Sequence, residues 1–596
     1  MNPFHRTYAR FHKKLLTKTM AIGVILALMG TACLIQLANI QLINGKTMAQ
    51  AAAQSRTITV TLKARRGKIM DTNGSILAQS VERYTIIGNP EEAQAFTPTT
   101  CTKQAGDNCH QIDGKPVGAT AVARLLAPVL DMDATELGAM LSGTGQYAVL
   151  KKDVTPAVKR KISKLNLGGI VYAELSNERI YSNGTLMGAL LGGVDGEGKG
   201  VAGIEQMENK TLTGEDGYQV YQQGNNGVEI PGTMTESKDA VNGSDITLTI
   251  DHDVQWYVEK VLRESCEKYS SPWGIAVVQD TQTGDILALA DSDEIEAGSD
   301  QAKMTVSRAV RETFEPGSIG KVFTMSGMIQ LGLHQASDKF TVPDHITVNG
   351  QTYSDATTHG DERWTLAGIL EQSSNVGMII AGEKMSNEQR YDFIRKFGVG
   401  QDNGLGLPGE SDGLLYSADQ WDLRTQNTVL FGQAYTTNAL QLTNAVAVIA
   451  NKGVKKPQRI IKTISDAEGH SEEQKPGGEA TRVIDEQVAS QVMNAMESVS
   501  DHYQFVKVDG YRVAAKSGTA EVAGADGRLS SIISDYSAII PADNPRFVVT
   551  VVLKEPQSVF GGLTAGPVTA EIGEFLMQKY EVPASSPRTD AIPVTW

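Results

Sequence analysis

A chain of 596 residues exceeds one ordinary domain, so several units are expected. With 41% hydrophobic and 21% charged residues it can bury a sizeable core, which excludes global disorder. Fifty-four Lys and Arg against 69 Asp and Glu give a net charge of −15, which excludes a protein built to coat nucleic acid, while four scattered cysteines exclude a disulfide-dense scaffold.

In chain order, the first 18 residues hold Arg6, Arg10, Lys13, Lys14 and Lys18 and no acid, leaving −20 on the rest. No charge occurs from Thr19 to Gly45. The apolar run from Met20 to Ile35, extended by Leu37, Ala38 and Ile40, is long enough as a helix to cross a bilayer. The basic flank precedes the span. The expectation is therefore a cytoplasmic tail over 1–18, a transmembrane anchor over 19–41, and an extracytoplasmic remainder. A cleaved signal peptide and a lipoprotein acylated at Cys33 are the alternatives. No good small-x-small cleavage site is present, and Gly30 stands where a lipobox carries Leu.

Residues 46–240 read as an extended α+β module. Residues 56–62 alternate as a strand, and Asp71-Thr-Asn-Gly74 is a turn leading into a strand at 75–78. Short helices are predicted over 118–165, and a loop or hairpin tip at 222–227. Cys101 and Cys109 fall in a polar loop where an oxidising space would let them pair; two free thiols are the alternative. Cys266 falls in a helical pattern as a core residue.

A denser pattern fills 241–582. A strand at 246–250 and a helix at 251–269 precede a hairpin of apolar strands around Thr283-Gly284. Helices are predicted over about 316–333, 364–397 and 436–452. Strands follow at 511–515, 535–540 and 547–553, then a helix at 567–579 and an extended Pro-containing tail over 583–596. The fold class is α+β, with an antiparallel sheet packed by helices.

The chemistry gathers in three short motifs. Pro316-Gly-Ser-Ile-Gly-Lys321 opens a helix, so Ser318 and Lys321 share one face a turn apart among apolar neighbours. A lysine buried there can lose its charge and serve as base to the serine. Ser373-Ser-Asn375 follows a helical stretch and offers a hydroxyl and an amide, although helix capping would explain it if it stood alone. Lys516-Ser-Gly-Thr519 ends a strand-like run. Gly518 permits close approach to an edge strand, and Lys516, Ser517 and Thr519 present one cation and two hydroxyls to an anion.

Taken in order, at spacings of 55 and 198 residues from Ser318, these motifs resemble the triad of penicillin-recognising serine enzymes. The chain resembles class B penicillin-binding proteins, the peptidoglycan D,D-transpeptidases, over about residues 20–580. Arg66-Gly-Lys-Ile-Met-Asp-Thr-Asn-Gly74, Arg179, Gly200-Val-Ala-Gly-Ile-Glu205, Leu248-Thr-Ile-Asp251 with Gln255, Thr283-Gly284, Phe431-Gly-Gln433 and Leu440-Gln441 add to the likeness. Three positions depart from the family pattern: Ser307 replaces the Asn ahead of Arg308, Asp291-Ser-Asp-Glu294 replaces Pro-x-x-Asn, and Ala538 replaces a Gly.

The resemblance implies an anchor, a pedestal of the dimerisation type and a penicillin-binding, β-lactamase-like transpeptidase domain. It implies Ser318 as nucleophile, Lys321 as base, Ser373 and Asn375 as proton relay and holder, and Lys516 with Ser517, Gly518 and Thr519 around the substrate carboxylate. No metal or organic cofactor is implied. The implied substrates are peptidoglycan stem peptides, with β-lactams as mimics and an FtsW-type polytopic glycosyltransferase and other division proteins as partners at the septal membrane. An elongation-type transpeptidase, a non-catalytic division scaffold and a β-lactam hydrolase are the rival readings.

Overall fold

The computed structural model describes residues 3–596 except 104, 107–108, 225–228, 524–528 and 558–559. The tip expected at 222–227 falls partly outside the described residues. The chain divides into two compact units. One comprises Met1–Lys63, Glu82–Ser176 and Asp216–Ala240; the other comprises Ala64–Val81, Asn177–Glu215 and Val241–Trp596.

In the first unit a helix covers Pro3–Ala38 and runs into a π-helical turn Asn39–Ile43; the stretch Leu16–Gln41 across them is mostly apolar, with a mean hydropathy of 2.2 and none of its residues buried. A helix that exposes so long an apolar surface has no stable home in water, which fits a membrane anchor. The strand Thr57–Leu62 pairs with Gly217–Gln222, which pairs in turn with Glu236–Lys238. The helices Gly118–Leu130, Ala134–Met140 and Pro156–Ser163 bear out the expected short helices. They share a core with Ile86, Leu150 and Val171. The strand Ala148–Val154 between them has no clean alternation to betray it. Cys101 and Cys109 are joined as a disulfide, so the alternative of two free thiols does not hold.

The second unit is built on a five-stranded antiparallel sheet in the order Ile286–Asp291, Gly274–Asp280, Phe547–Lys554, Leu529–Ile540, Ala514–Ala523. The inner strands Gly274–Asp280 and Phe547–Lys554 are mostly apolar because both faces are covered. On one face lie the helices His252–Tyr269 and Gly561–Lys579; on the other, the helices Gly320–Gln330 and Ala439–Ala450 belong to the larger core. The strand expected to end at 515 instead continues through Lys516 to Ala523, because its backbone pairs with the neighbouring strand from Ile539 to Leu529, with one register shift between Val522 and Ala523. The helical stretch expected over 364–397 is broken into a strand Glu362–Thr365 and helices Leu366–Glu371, Asn375–Ala381 and Asn387–Lys396. The break at Ser373 is a left-handed residue, φ +57°.

Two sets of motifs far apart in sequence meet in this unit. Asp71 Oδ1 accepts the N–H groups of Asn73 and Ser75, and its Oδ2 accepts the N–H of His252, so the predicted turn is tied to the start of a helix. Arg66, Arg179 and Glu205 form one buried knot. Glu205 takes Arg66 Nε at 2.6 Å and Arg179 Nε at 2.7 Å, and all three side chains are less than a tenth exposed. The remaining guanidinium hydrogens of Arg66 reach Asn209, Thr213 and the carbonyl of Glu205, and Arg179 Nη1 reaches the carbonyl of Gly67.

The tail lies along this unit. Arg588 bonds Asp501 and Asn494, Thr365 donates through its N–H to Val594 O and through Oγ1 to Pro593 O, and Trp596 Nε1 donates to Phe340 O.

Candidate active site

Ser318 sits in a single 3-10 turn, Gly317–Ile319, that feeds the helix Gly320–Gln330. The turn exists because glycine precedes the serine. Gly317 has φ +49°, and a Cβ there would lie 2.8 Å and 2.9 Å from the backbone O and N of Thr519. Gly432 closes the other side, where a Cβ would meet Gly317 O at 1.7 Å. The motifs Pro316–Lys321, Phe431–Gln433 and Lys516–Thr519 are thus pressed together at backbone contact, which only glycine allows.

Lys321 is fully buried. Its Nζ lies 2.7 Å from Ser318 Oγ, 2.8 Å from Ser373 O and 2.7 Å from Asn375 Oδ1, with Ser373 Oγ at 3.3 Å. A carbonyl and an amide oxygen are acceptors only, so they take the two hydrogens of a neutral amine, and the amine's lone pair is left for the Ser318 hydroxyl. Burial pushes the Lys321 ammonium well below its ordinary range, and the charge of Lys516 pushes it further. Asp355 opposes this without reversing it.

Ser373 bridges the two lysines. Its Oγ lies 3.0 Å from Lys516 Nζ as well as 3.3 Å from Lys321 Nζ. Its left-handed backbone costs about 1 kcal/mol or more for a residue with a Cβ. That conformation turns both its carbonyl and its hydroxyl toward Lys321. Lys516 is also fully buried, with its Nζ 3.0 Å from Ser517 O and 3.5 Å from Ser517 Oγ. Burial pushes it down to about 7, Asp535 pulling in the opposite direction. Thr519 Oγ1 accepts the N–H of Gly561. The structure therefore brings all eight predicted residues, Ser318, Lys321, Ser373, Asn375, Lys516, Ser517, Gly518 and Thr519, onto the neighbourhood of one sheet edge.

The supporting residues were not legible in the sequence. Asp355 accepts from Ser374 Oγ at 2.5 Å and from Val376 N at 2.9 Å, clamping both flanks of Asn375. His359 Nε2 lies 3.0 Å from Asp355 Oδ2. Burial lowers the His359 imidazole, but its hydrogen bonds to Asp355 and to the Gly360 carbonyl outweigh this and raise it. An Asp and a His four apart in a loop carry no signal in a single sequence. Glu315 accepts the Ala434 N–H at 2.8 Å and ties the nucleophile's segment to the loop after Phe431.

Two of the departures from the family pattern touch each other. Ser307 Oγ donates to Asp291 Oδ2 at 2.6 Å, Arg308 N donates to the same oxygen at 3.0 Å, and Arg308 Nε reaches Asp293 at 2.7 Å. The changed residues form their own polar joint between the edge strand Ile286–Asp291 and the turn at Arg308.

Residues 274–574 match the model of the penicillin binding protein transpeptidase domain, and residues 61–248 match that of the penicillin-binding protein dimerisation domain. The chain is 31% identical over 562 residues to penicillin-binding protein PbpB of Mycolicibacterium smegmatis, covering 90% of this chain and 86% of that protein. It is 30% identical over 521 residues to peptidoglycan D,D-transpeptidase FtsI of Escherichia coli K12, covering 85% of this chain and 82% of that protein. Among solved structures, a peptidoglycan synthetase from Bifidobacterium adolescentis is similar at 81% identity and a TM-score of 0.76, covering 91% of this chain and 100% of that one. Penicillin binding protein 3 of Mycobacterium tuberculosis complexed with ampicillin is similar at 27% identity and a TM-score of 0.69, covering 90% of this chain and 100% of that one.

Proposed function

This chain belongs to the penicillin-binding proteins with a transpeptidase domain, and on that premise we propose that it is a serine D,D-transpeptidase of the FtsI type that crosslinks peptidoglycan stem peptides during septal wall synthesis. The observation that carries the reading is Lys321 Nζ, wholly buried, 2.7 Å from Ser318 Oγ with two fixed acceptors occupying its hydrogens.

The geometry supports one sequence of steps. Ser318 Oγ attacks the carbonyl carbon between the last two D-alanines of a donor stem while Lys321 Nζ takes the hydroxyl proton. The backbone N–H groups of Ser318 and Thr519 receive the oxyanion. Lys516, with the hydroxyls of Ser517 and Thr519, holds the terminal carboxylate. The C–N bond breaks, and the departing D-alanine amine collects its proton through Ser373 Oγ, which already touches both lysines. Asn375 orients Lys321 and the donor chain. An amine of a neighbouring stem then attacks the ester, a new peptide bond forms, and the proton returns to Ser318. Acyl transfer of this kind calls on no metal or organic cofactor. A β-lactam enters as a donor whose leaving group stays tethered, so it remains on Ser318.

The basic residues ahead of Leu16–Gln41 support a cytoplasmic N-terminus and an extracytoplasmic catalytic unit, and the likeness to FtsI supports a place at the septum. An FtsW-type polytopic glycosyltransferase and other division proteins are the proposed partners there. In cells depleted of this protein, a Ser318→Ala chain should restore neither septation nor stem-peptide crosslinking. Full restoration would turn the reading into that of a scaffold.

A further inference from the structure

The steps above leave Asp535 without a task. It lies on the strand Leu529–Ile540 directly opposite Gly518, and opposed residues of an antiparallel pair point to the same face. Lys516 is two residues from Gly518 and so shares that face, which makes Lys516 and Asp535 diagonal neighbours. Both are fully buried, and among the described residues neither carboxylate oxygen of Asp535 has a hydrogen-bond partner. A Cβ on Gly518 would come within 1.8 Å of Asp535 Oδ1 and 2.5 Å of Pro316 O. The carboxylate is therefore seated under the stretch of edge strand that joins Lys516 to Thr519.

The charged groups on the surrounding elements are few. Lys516 is on the edge strand, and Lys321 and Glu315 are on the nucleophile's segment, where Glu315 is turned to Ala434 N. The strand on the other side opposes Asp535 with Val552, and the C-terminal helix meets its backbone with Gly561. Burial pushes the Asp535 carboxyl well above its ordinary range, and the charge of Lys516 opposes this. Lys321 feels Lys516 and Asp355 instead.

A buried carboxylate without hydrogen bonds is costly unless a cation compensates it, and a buried ammonium is costly in the same way. The two lysines share Ser373 Oγ at 3.3 Å and 3.0 Å, so two full charges there repel and one is disfavoured. The asymmetry needs a source, and the carboxylate beside only one of them supplies it. We propose that Asp535 is the counter-charge that assigns the positive charge of the lysine pair to Lys516 and leaves Lys321 as the neutral base. It is a positioning residue that acts through Lys516. The inference rests on the roles given to the two lysines under the proposed function.

Without Asp535, Lys516 loses its proton at lower pH, so the alkaline limb of acylation moves acidward. Lys321 then loses the cation that keeps it deprotonated, so the acid limb moves up. The rate of acylation by penicillin, measured from pH 5 to 10, should show a narrower bell for Asp535→Asn and Asp535→Ser than for wild type. The expected loss is about tenfold or more at pH 8, equivalent to a shift of about one pH unit, and less at the optimum. Either variant suffices if the other does not fold. Limbs that keep their wild-type positions, with or without a uniform fall in rate, would overturn the inference. The reading beneath it fails separately, by acylation of wild type that survives Ser318→Ala.

Discussion

Replacing Lys321 with Met should leave a folded chain whose acylation by penicillin is slower by about 10³-fold or more. Met has a similar length and no charge, and it enters a buried site with the Phe431 ring 6.0 Å from the Lys321 Nζ position. What is lost is the base 2.7 Å from the nucleophile, together with the hydrogen bonds to Ser373 O and Asn375 Oδ1. A positioned base contributes about 10²–10⁴, and removing one member of a catalytic set commonly removes most of what the set achieves. The residual rate should also lose its acid limb, because the group that titrates there is gone. The measurement is the second-order rate constant for acylation across pH. A rate within tenfold of wild type would mean that the proton goes elsewhere.

The second large effect concerns stability. Glu205→Ala strands two buried guanidinium groups, Arg66 and Arg179, whose carboxylate it removes. Breaking a buried ion pair by deleting one partner costs about 3–5 kcal/mol, because the uncompensated charge stays behind. Urea denaturation should show that loss in the transition of the unit that contains all three residues. Deleting Glu205 together with both arginines, as an apolar triple replacement, should cost much less. A loss below about 1 kcal/mol for the single variant would show that water already compensates the knot.

How much was legible followed the range of the interactions involved. Ser318 and Lys321 are three apart, so their meeting needed only a helix. The hairpin around Thr283-Gly284 announced itself by apolar runs flanking a glycine at φ +82°. The three motifs could be ordered in sequence, but their contact depends on Gly317, Gly432 and Gly518 fitting against backbones more than 80 residues away, which no local pattern encodes. The strand through Lys516–Ala523 was read as ending early because Lys, Ser, Gly and Thr look like a strand end. Pairing with its neighbour from Ile539 to Leu529 overrode that preference. Within the helical stretch expected over 364–397, Ser373-Ser-Asn375 was read as following a helix, and the break does fall there; what no pattern showed is that a single left-handed residue redirects the chain into the site. Asp355, Asp535 and Glu315 were invisible because a buried carboxylate looks like a surface one until its surroundings are known. The likeness of Arg66, Arg179 and Glu205 to family positions singled them out, yet nothing in their spacing said that they touch.

The proposed chemistry turns on one covalent bond. Incubating the protein with a penicillin, digesting it and weighing the peptides should place the whole mass of the drug on the peptide containing Ser318, still present after tens of minutes, and leave Ser318→Ala unmodified. An adduct on another residue, equal labelling of Ser318→Ala, or label lost within seconds as hydrolysed penicillin would contradict it.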